Sequence, residues 1–540
     1  MSESGIKAGT PGNQRAREAA QQALAGMRVE STDLVEFQSR GRVLVIGGPS
    51  AEAFASTLRA PLQAHVLLTS GAAATGQGVT PLEGRSSCLS GHLGAFSLQL
   101  GDAGAADGEV LEADLVLDLG DPAQIGLPMK PPGYLVSGLD PESLAAAREQ
   151  LEALVGTFDK PRYFSYDADL CAHGRSGQIA CTRCIDSCPA GAISSLLDRV
   201  AVDSHLCQGG GACATVCPSG AIRYRYPRPE DTLEQVRVLL KTYREQGGIE
   251  PQVVFAVDDG RTLPELPENG LLLQIEELAS VGLECWLSAL AYGARSVLLL
   301  DRGELPSMVD AALGQQLNTA AELLQGMGYP VRAVRRVAEA TDDSPPDTGM
   351  PAITPANYST RGGKRQVMFM ALDHLYREAP RQRPLVTLSA GAPFGSAQVE
   401  ADACTLCFSC VGACPGGALL DGEGEPRLRF IEANCLQCGM CTRTCPEDAI
   451  SITPRMLFDR EARGRARLLH EESPFCCSEC GKPFATRSVV DNMLRKLEGH
   501  WMFQDPRARR RLQMCQDCRV IDIAQDPEAM GQGMDGEIRQ

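Results

Sequence analysis

The residues able to do chemistry are cysteines, 22 of them in a chain of 540. Cys404, Cys407, Cys410 and Cys414-Pro415 spell C-x2-C-x2-C-x3-C-P, and Cys435, Cys438, Cys441 and Cys445-Pro446 spell it again. Two-residue gaps let the backbone wrap an iron–sulfur cubane so that three thiolates reach three irons, while the fourth Cys points to the other cluster of the pair. One 4Fe-4S cluster, A, is therefore expected on Cys404, Cys407, Cys410 and Cys445. A second, B, is expected on Cys435, Cys438, Cys441 and Cys414. Zinc is the competing ligand chemistry, but its cysteines usually come as two separated pairs.

An earlier block repeats the device with two departures. Its first half reads Cys171, then Cys181-x2-Cys184-x3-Cys188-Pro189, with the loop AHGRSGQIA behind the displaced leading Cys. Its second half reads Cys207-Gln-Gly-Gly-Gly-Ala-Cys213-x3-Cys217-Pro218, so Gly210 stands where the middle ligand belongs. By the crossed rule Cys171, Cys181, Cys184 and Cys217 complete a 4Fe-4S cluster, C, if the loop folds back. Cys188, Cys207 and Cys213 supply three thiolates for cluster D, a 3Fe-4S cluster or a cubane with one open iron; loss of D altogether is the alternative. His173 is a substitute ligand only if it is not simply a solvated loop histidine. Cys477-x2-Cys480 and Cys515-x2-Cys518 have the two-knuckle layout of a structural zinc site, preferred here over rubredoxin iron, with Cys476 as a spare. Cys88 and Cys285 stand alone and are expected to be buried small hydrophobes.

Length implies several domains to position these groups. The expected fold class is α/β multidomain: two bacterial-ferredoxin-like α+β cluster modules, α/β domains before and between them, and a C-terminal zinc-ribbon-like helical domain. Residues 1–30 read as a disordered start and a helix, and 31–160 as an α/β domain. There Val43–Ile46, His65–Leu68 and Leu115–Leu119 are strands and Glu142–Leu154 a helix. The turn Gly47-Gly48-Pro49-Ser50 lacks full dinucleotide-loop spacing. The first, degenerate module spans 161–228. A second α/β domain, 229–340, has strands at Val253–Val257 and Ser296–Leu300 and helices at Asp231–Gln246, Glu284–Ala291 and Met308–Met327. A linker, 341–365, precedes the second module at 366–456, and a zinc-ribbon-like domain fills 457–540. A net charge of −17 excludes nucleic acid as the main partner. No signal pattern or membrane-spanning apolar run is seen, so a cytoplasmic protein with reduced thiols is expected, and metal must account for its cysteines. The run Arg507, Arg509, Arg510 and Arg511 is a solvated helix face or a docking patch for an acidic partner.

Four times the chain spells Cys-Pro, two small or acidic residues, Ala and an aliphatic, at Cys188, Cys217, Cys414 and Cys445. These modules resemble bacterial 2(4Fe-4S) ferredoxins. The whole layout is similar to the large 4Fe-4S binding proteins of proteobacteria whose genes commonly accompany molybdenum or tungsten formate dehydrogenases. In that family the motif typically reads C-x-G-C-G-x-C where this chain has CQGGGAC. The segment IEELASVGLECWLSALAYGARSVLLLD resembles the small delta subunit of hydrogenases linked to heterodisulfide reductase. The spacing leads to three 4Fe-4S clusters, a possible 3Fe-4S cluster and Zn2+, and the resemblance implies an electron carrier whose redox partner is a formate-dehydrogenase-like enzyme. The alternatives are a catalytic oxidoreductase subunit using the open cluster or a flavin, and an assembly factor for a metalloenzyme.

Overall fold

The computed structural model describes residues 11–70, 78–82, 85–101, 108–175, 177–258, 260, 265–303, 305–339 and 350–527. Most of the expected disordered start and the first part of the expected linker lie outside them. The chain forms two compact units: Met1–Ala168, Thr182–Leu196 and Val200–Gln382 in one, Asp169–Cys181, Leu197–Arg199 and Arg383–Gln540 in the other.

Two parallel sheets organise the first unit. The strand Arg42–Gly47 is central in a five-stranded sheet, flanked by Gln63–Leu68 and Val79–Pro81 on one side and Leu115–Asp118 and Tyr134–Val136 on the other. Its continuous apolar run is explained by cover on both faces. Val43, Val45, Leu115 and Leu117 pack with Phe54 of helix α2 (Pro49–Ala55) and Leu151 of α3 (Pro141–Ala153). Helix α1 is Pro11–Ala25, ahead of them in the chain. On the other face Leu44, Ile46 and Val116 meet Phe96, Leu98 and Leu100. Those three come from an antiparallel sheet of Ser86–Ser90, Phe96–Gly101 and Glu109–Ala113, which the sequence reading did not foresee. Asp140 caps α3, its carboxylate accepting the Ser143 N–H at 2.9 Å, with Pro141 in the first turn.

Two short helices of this unit, α4 (Arg183–Asp186) and α5 (Ala212–Val216), carry Cys184 and Cys213, and Cys188, Cys207 and Cys217 lie in the turns beside them. Beyond them α6 (Pro229–Glu245) leads into a four-stranded parallel sheet ordered Gly270–Ile275, Gln252–Val257, Ser296–Leu300, Val334–Val337. Every residue of α7 (Leu283–Ala291) is buried, as its apolar composition demands. Helices α8 (Ser307–Met327) and α9 (Lys364–Arg377) follow. Residues 366–377, expected to open the second module, lie instead on α9, which packs on α7 and buries Val367, Met368, Ala371, Leu372 and Leu375 in the first unit. The described part of the expected linker is tied down as well. Met350 N–H donates to Arg295 O at 2.6 Å, Ala356 N–H to Ala291 O at 2.8 Å, and Thr360 is buried.

In the second unit Gly395–Val399 and Leu385–Thr387 pair antiparallel with Ile450–Leu457, and Leu419–Gly422, Glu425–Phe430 and Arg467–Glu471 form another antiparallel sheet. Short helices α10 (Ser409–Ala413) and α11 (Met440–Thr444) carry cysteines between these strands. Helix α12 (Arg460–Gly464), a hairpin of Pro474–Cys476 and Pro483–Thr486, and helices α13 (Arg487–Lys496), α14 (Pro506–Arg511) and α15 (Gln516–Ala524) complete it. Among the described residues no helix is long and apolar enough to cross a membrane.

Candidate metal centres

Each Cys-Pro repeat encodes one turn. The residue three after the cysteine is left-handed in all four copies: Gly191 at φ 60°, Gly220 at 76°, Gly417 at 60° and Asp448 at 50°. Glycine takes this conformation at no steric cost, and Asp is among the few other residues that tolerate it. The next residue, Ala192, Ala221, Ala418 or Ala449, is buried, as is the aliphatic after it. In the second unit that Ala turns its N–H onto the cysteine four residues back: Ala418 N–H reaches Cys414 Sγ and Ala449 N–H reaches Cys445 Sγ, both at 3.3 Å. Such bonds favour a thiolate and tune a cluster's potential.

Cys404, Cys407, Cys410 and Cys445 line one cavity of ≈ 380 Å³, walled by Leu406, Leu428 and Ile450. Cys414, Cys435, Cys438 and Cys441 line another of ≈ 370 Å³. In each, three sulfurs come from one motif copy and the fourth from the other, a donor set that fits a cubane. Burial, reinforced by neighbouring cysteines, pushes the Cys410 thiol up to about 12 and Cys438 up to about 11, and raises Cys404 and Cys441. Free of metal these are thiols, so cluster binding releases protons. The middle ligand is bracketed by left-handed residues in both copies: Leu406 (54°) and Phe408 (57°) around Cys407, Gln437 (52°) and Gly439 (79°) around Cys438.

The same bracket surrounds Gly210, with Gly209 at 83° and Gly211 at 72°. Both flanking glycines are required by space. A Cβ on Gly209 would meet the Tyr163 ring at 2.7 Å, and one on Gly211 the Ser280 Cα at 2.5 Å. Gly210 thus occupies the ligand position without a ligand side chain. Cys188, Cys207, Gly210 and Cys213 line a cavity of ≈ 500 Å³. Burial and the surrounding cysteines raise the Cys213 thiol well above its ordinary value. Beside the site Lys160 Nζ donates to the carbonyls of His205 and Cys207, both at 2.6 Å, and lies 4.9 Å from the Phe37 ring centroid. Burial lowers its pKa to about 8.

Cys184 and Cys217 belong to the first unit, Cys171 and Cys181 to the second. Lys364 Nζ caps the turn before Cys217, donating to the carbonyls of Ala214 at 2.8 Å and Thr215 at 2.5 Å. The loop after Cys171 forms a tight two-strand turn, Gly174–Arg175 with Gln178–Ile179, that lies against the later cluster motif of its own unit. Arg443 of α11 donates to Ile179 O at 2.6 Å, and Arg175 to Gly412 O of α10 at 3.3 Å. His173 was read as a solvated loop histidine unless a ligand; it is buried, its Nδ1 2.8 Å from Cys181 O. The loop's basic residues were the only sign of this docking in the sequence.

The sulfurs of Cys477, Cys480, Cys515 and Cys518 all lie within 4.8 Å of one another. The first pair sits at the tip of the hairpin and the second at the N-terminus of α15. Burial works against a Cys477 thiolate, but the N–H groups of Cys480, Cys515 and Glu479 outweigh it and lower the pKa to about 6. Four such sulfurs fit a tetrahedral ion. Cys476 is exposed and outside the group. Arg507 and Arg511 are held by Asp522 and Asp526, and Arg510 by Glu479, so this run is paired within its own domain. Cys285 is buried as expected, but Cys88 is exposed on an edge strand of the antiparallel sheet.

Residues 401–450 match the family model of the 4Fe-4S dicluster domain, and residues 200–223 that of the 4Fe-4S binding domain. No curated protein matches the chain. The chain carries two ferredoxin-type 4Fe-4S domains, in a mixed α/β multidomain protein, and these support an electron-transfer role.

Proposed function

We propose that the protein relays electrons along a series of clusters. Cubane A is held by Cys404, Cys407, Cys410 and Cys445, and cubane B by Cys435, Cys438, Cys441 and Cys414. Cubane C takes Cys171, Cys181, Cys184 and Cys217 by the crossed rule. Cluster D takes Cys188, Cys207 and Cys213. Cys477, Cys480, Cys515 and Cys518 hold Zn2+ in a ribbon-like C-terminal domain. The observation that carries the reading is the pair of adjoining cavities in 401–450, each lined by four cysteines drawn crosswise from two motif copies. The clusters supply one-electron chemistry; the chain supplies buried walls and N–H donors to sulfur that set their potentials. A formate-dehydrogenase-like enzyme is the proposed redox partner, on the layout resemblance, and the cytoplasm the proposed location. Mixing the oxidised protein anaerobically with a molybdenum or tungsten formate dehydrogenase tests the partner. Formate should bleach the visible cluster absorption. No bleaching with formate, despite full bleaching by dithionite, contradicts the partner while leaving the relay standing.

A further inference from the structure

The cavity at Gly210 differs from the two four-cysteine cavities in more than a missing sulfur. With its mouth included it spans ≈ 500 Å³ against ≈ 370 and ≈ 380 Å³. A Cβ built on Gly210 would have a single heavy atom within 4 Å, Pro189 Cγ at 3.8 Å, whereas its neighbours Gly209 and Gly211 have no room for one. Among the described residues no ligand side chain lines the cavity in place of the lost thiolate. The lining holds no carboxylate, no imidazole and no fourth cysteine. Its Tyr224 hydroxyl is spent on Gly209 O at 2.9 Å and its Ser187 hydroxyl on Cys184 O at 3.3 Å. Gly210 is itself partly exposed, so the corner it leaves opens toward solution. One ammonium group stands close by. Lys160 is fixed on the Cys207 carbonyl at 2.6 Å beside the cavity, whereas the Lys130 ammonium donates to Ile125 O at 2.5 Å and only its backbone carbonyl, which receives the Gln208 amide at 2.7 Å, reaches the cysteine loop.

We propose that cluster D carries an exchangeable fourth iron whose outer ligand comes from solution, a small anionic soft donor of the thiolate class, seated at the corner that Gly210 leaves open. This rests on the reading of Cys188, Cys207 and Cys213 as cluster ligands. Iron in a sulfide cage prefers soft donors, and the Lys160 ammonium on the Cys207 carbonyl favours an anion over a neutral one. Without that ligand the corner iron has no protein thiolate to retain it. A one-electron oxidant such as ferricyanide takes one electron from the 2+ cubane. The corner iron's bonds to its three sulfides then break and it leaves as Fe2+, so a 3Fe-4S core of charge 1+ remains. Ferrous iron and one electron from dithionite reverse the step.

The full chain, purified anaerobically, tests this by EPR and by Mössbauer spectroscopy with 57Fe returned to the emptied corner. Ferricyanide should produce about one 3Fe-4S spin per chain, and Fe2+ with dithionite should remove it. Added 2-mercaptoethanol should shift the spectrum of the returned iron, and acetate should leave it unchanged. Gly210→Cys should abolish both the ferricyanide signal and the thiol response. Gly210→Ser, which fills the space with a poor soft donor, should keep the signal, and this guards against a cysteine variant that misfolds. A ferricyanide signal that survives in Gly210→Cys, or a returned iron indifferent to thiol, overturns the proposal. A chain with no more than about twelve irons, the number that cubanes A, B and C need at four each, overturns instead the reading of cluster D on which it rests.

Discussion

A cysteine-proline turn whose third following residue is left-handed, and whose fourth presents an N–H to the sulfur, is a small machine specified residue by residue. Gly417 has no heavy atom within 4 Å of a built Cβ, so substitution there meets only the backbone penalty. Gly417→Ala should destabilise the cluster-loaded protein by about 1 kcal/mol, read by thermal unfolding with iron content unchanged. Crossed ligation makes a sharper statement about Cys414. Its replacement by Ser should perturb the EPR signal that Cys435→Ser perturbs and spare the one altered by Cys404→Ser. The opposite grouping would mean that each motif copy closes its own cluster. At the C-terminal site Cys515→Ala should remove the zinc proposed there, measured by metal analysis, with no loss of iron.

Elements explain which parts of the fold could be read in advance. The buried parallel strands and long helices were legible, because runs such as Val43–Ile46 and Ser296–Leu300 admit few other structures, and they fall within a residue or two of expectation. The antiparallel sheet of 86–113 was not. Its outer strands carry polar residues such as Ser86, Ser87, Glu109 and Glu112, and bring little more than Ala113, with Leu89 and Leu111 partly buried, to the core that Phe96, Leu98 and Leu100 of the middle strand reach. Nor was the placement of α9, since its apolar stripe names no partner and α7 lies over seventy residues earlier in the chain. The ligand positions were legible from spacing alone, whereas the docking of the 171–181 loop depends on backbone carbonyls that carry no sequence signature. Asp114 links strands to the pH dependence of the first unit. Burial opposes its charge, but the Arg42 guanidinium, at 2.7 Å, and the N–H groups of Arg42 and Arg40 outweigh it and hold the pKa below the carboxylate range. A depressed folded pKa gives stability that is present above the unfolded value of about 3.9 and is lost as pH falls through the folded one. Asp114→Asn should therefore cost on the order of 2 kcal/mol at pH 7 and progressively less below about pH 4, measured by denaturant unfolding.

Across the whole molecule, two families of structure divide the labour. Parallel sheets with buried helices provide the α/β bodies, while the cysteine segments are short helices, turns and antiparallel strands whose small apolar clusters are built around the cysteines themselves. The cluster-bearing segments thus take much of their folding free energy from metal, and apoprotein should retain the far-UV signature of the α/β parts while losing protection of 401–450 from proteolysis. The central claim is a multi-cluster relay, and quantitative iron and acid-labile sulfide analysis of anaerobically prepared protein, with EPR of the dithionite-reduced state, tests it most directly. Three cubanes and cluster D predict about fifteen irons per chain with D's corner empty and about sixteen with it filled, with reduced signals broadened by coupling between neighbouring clusters. Fewer than about eight irons, or a single isolated reduced signal, would contradict the account.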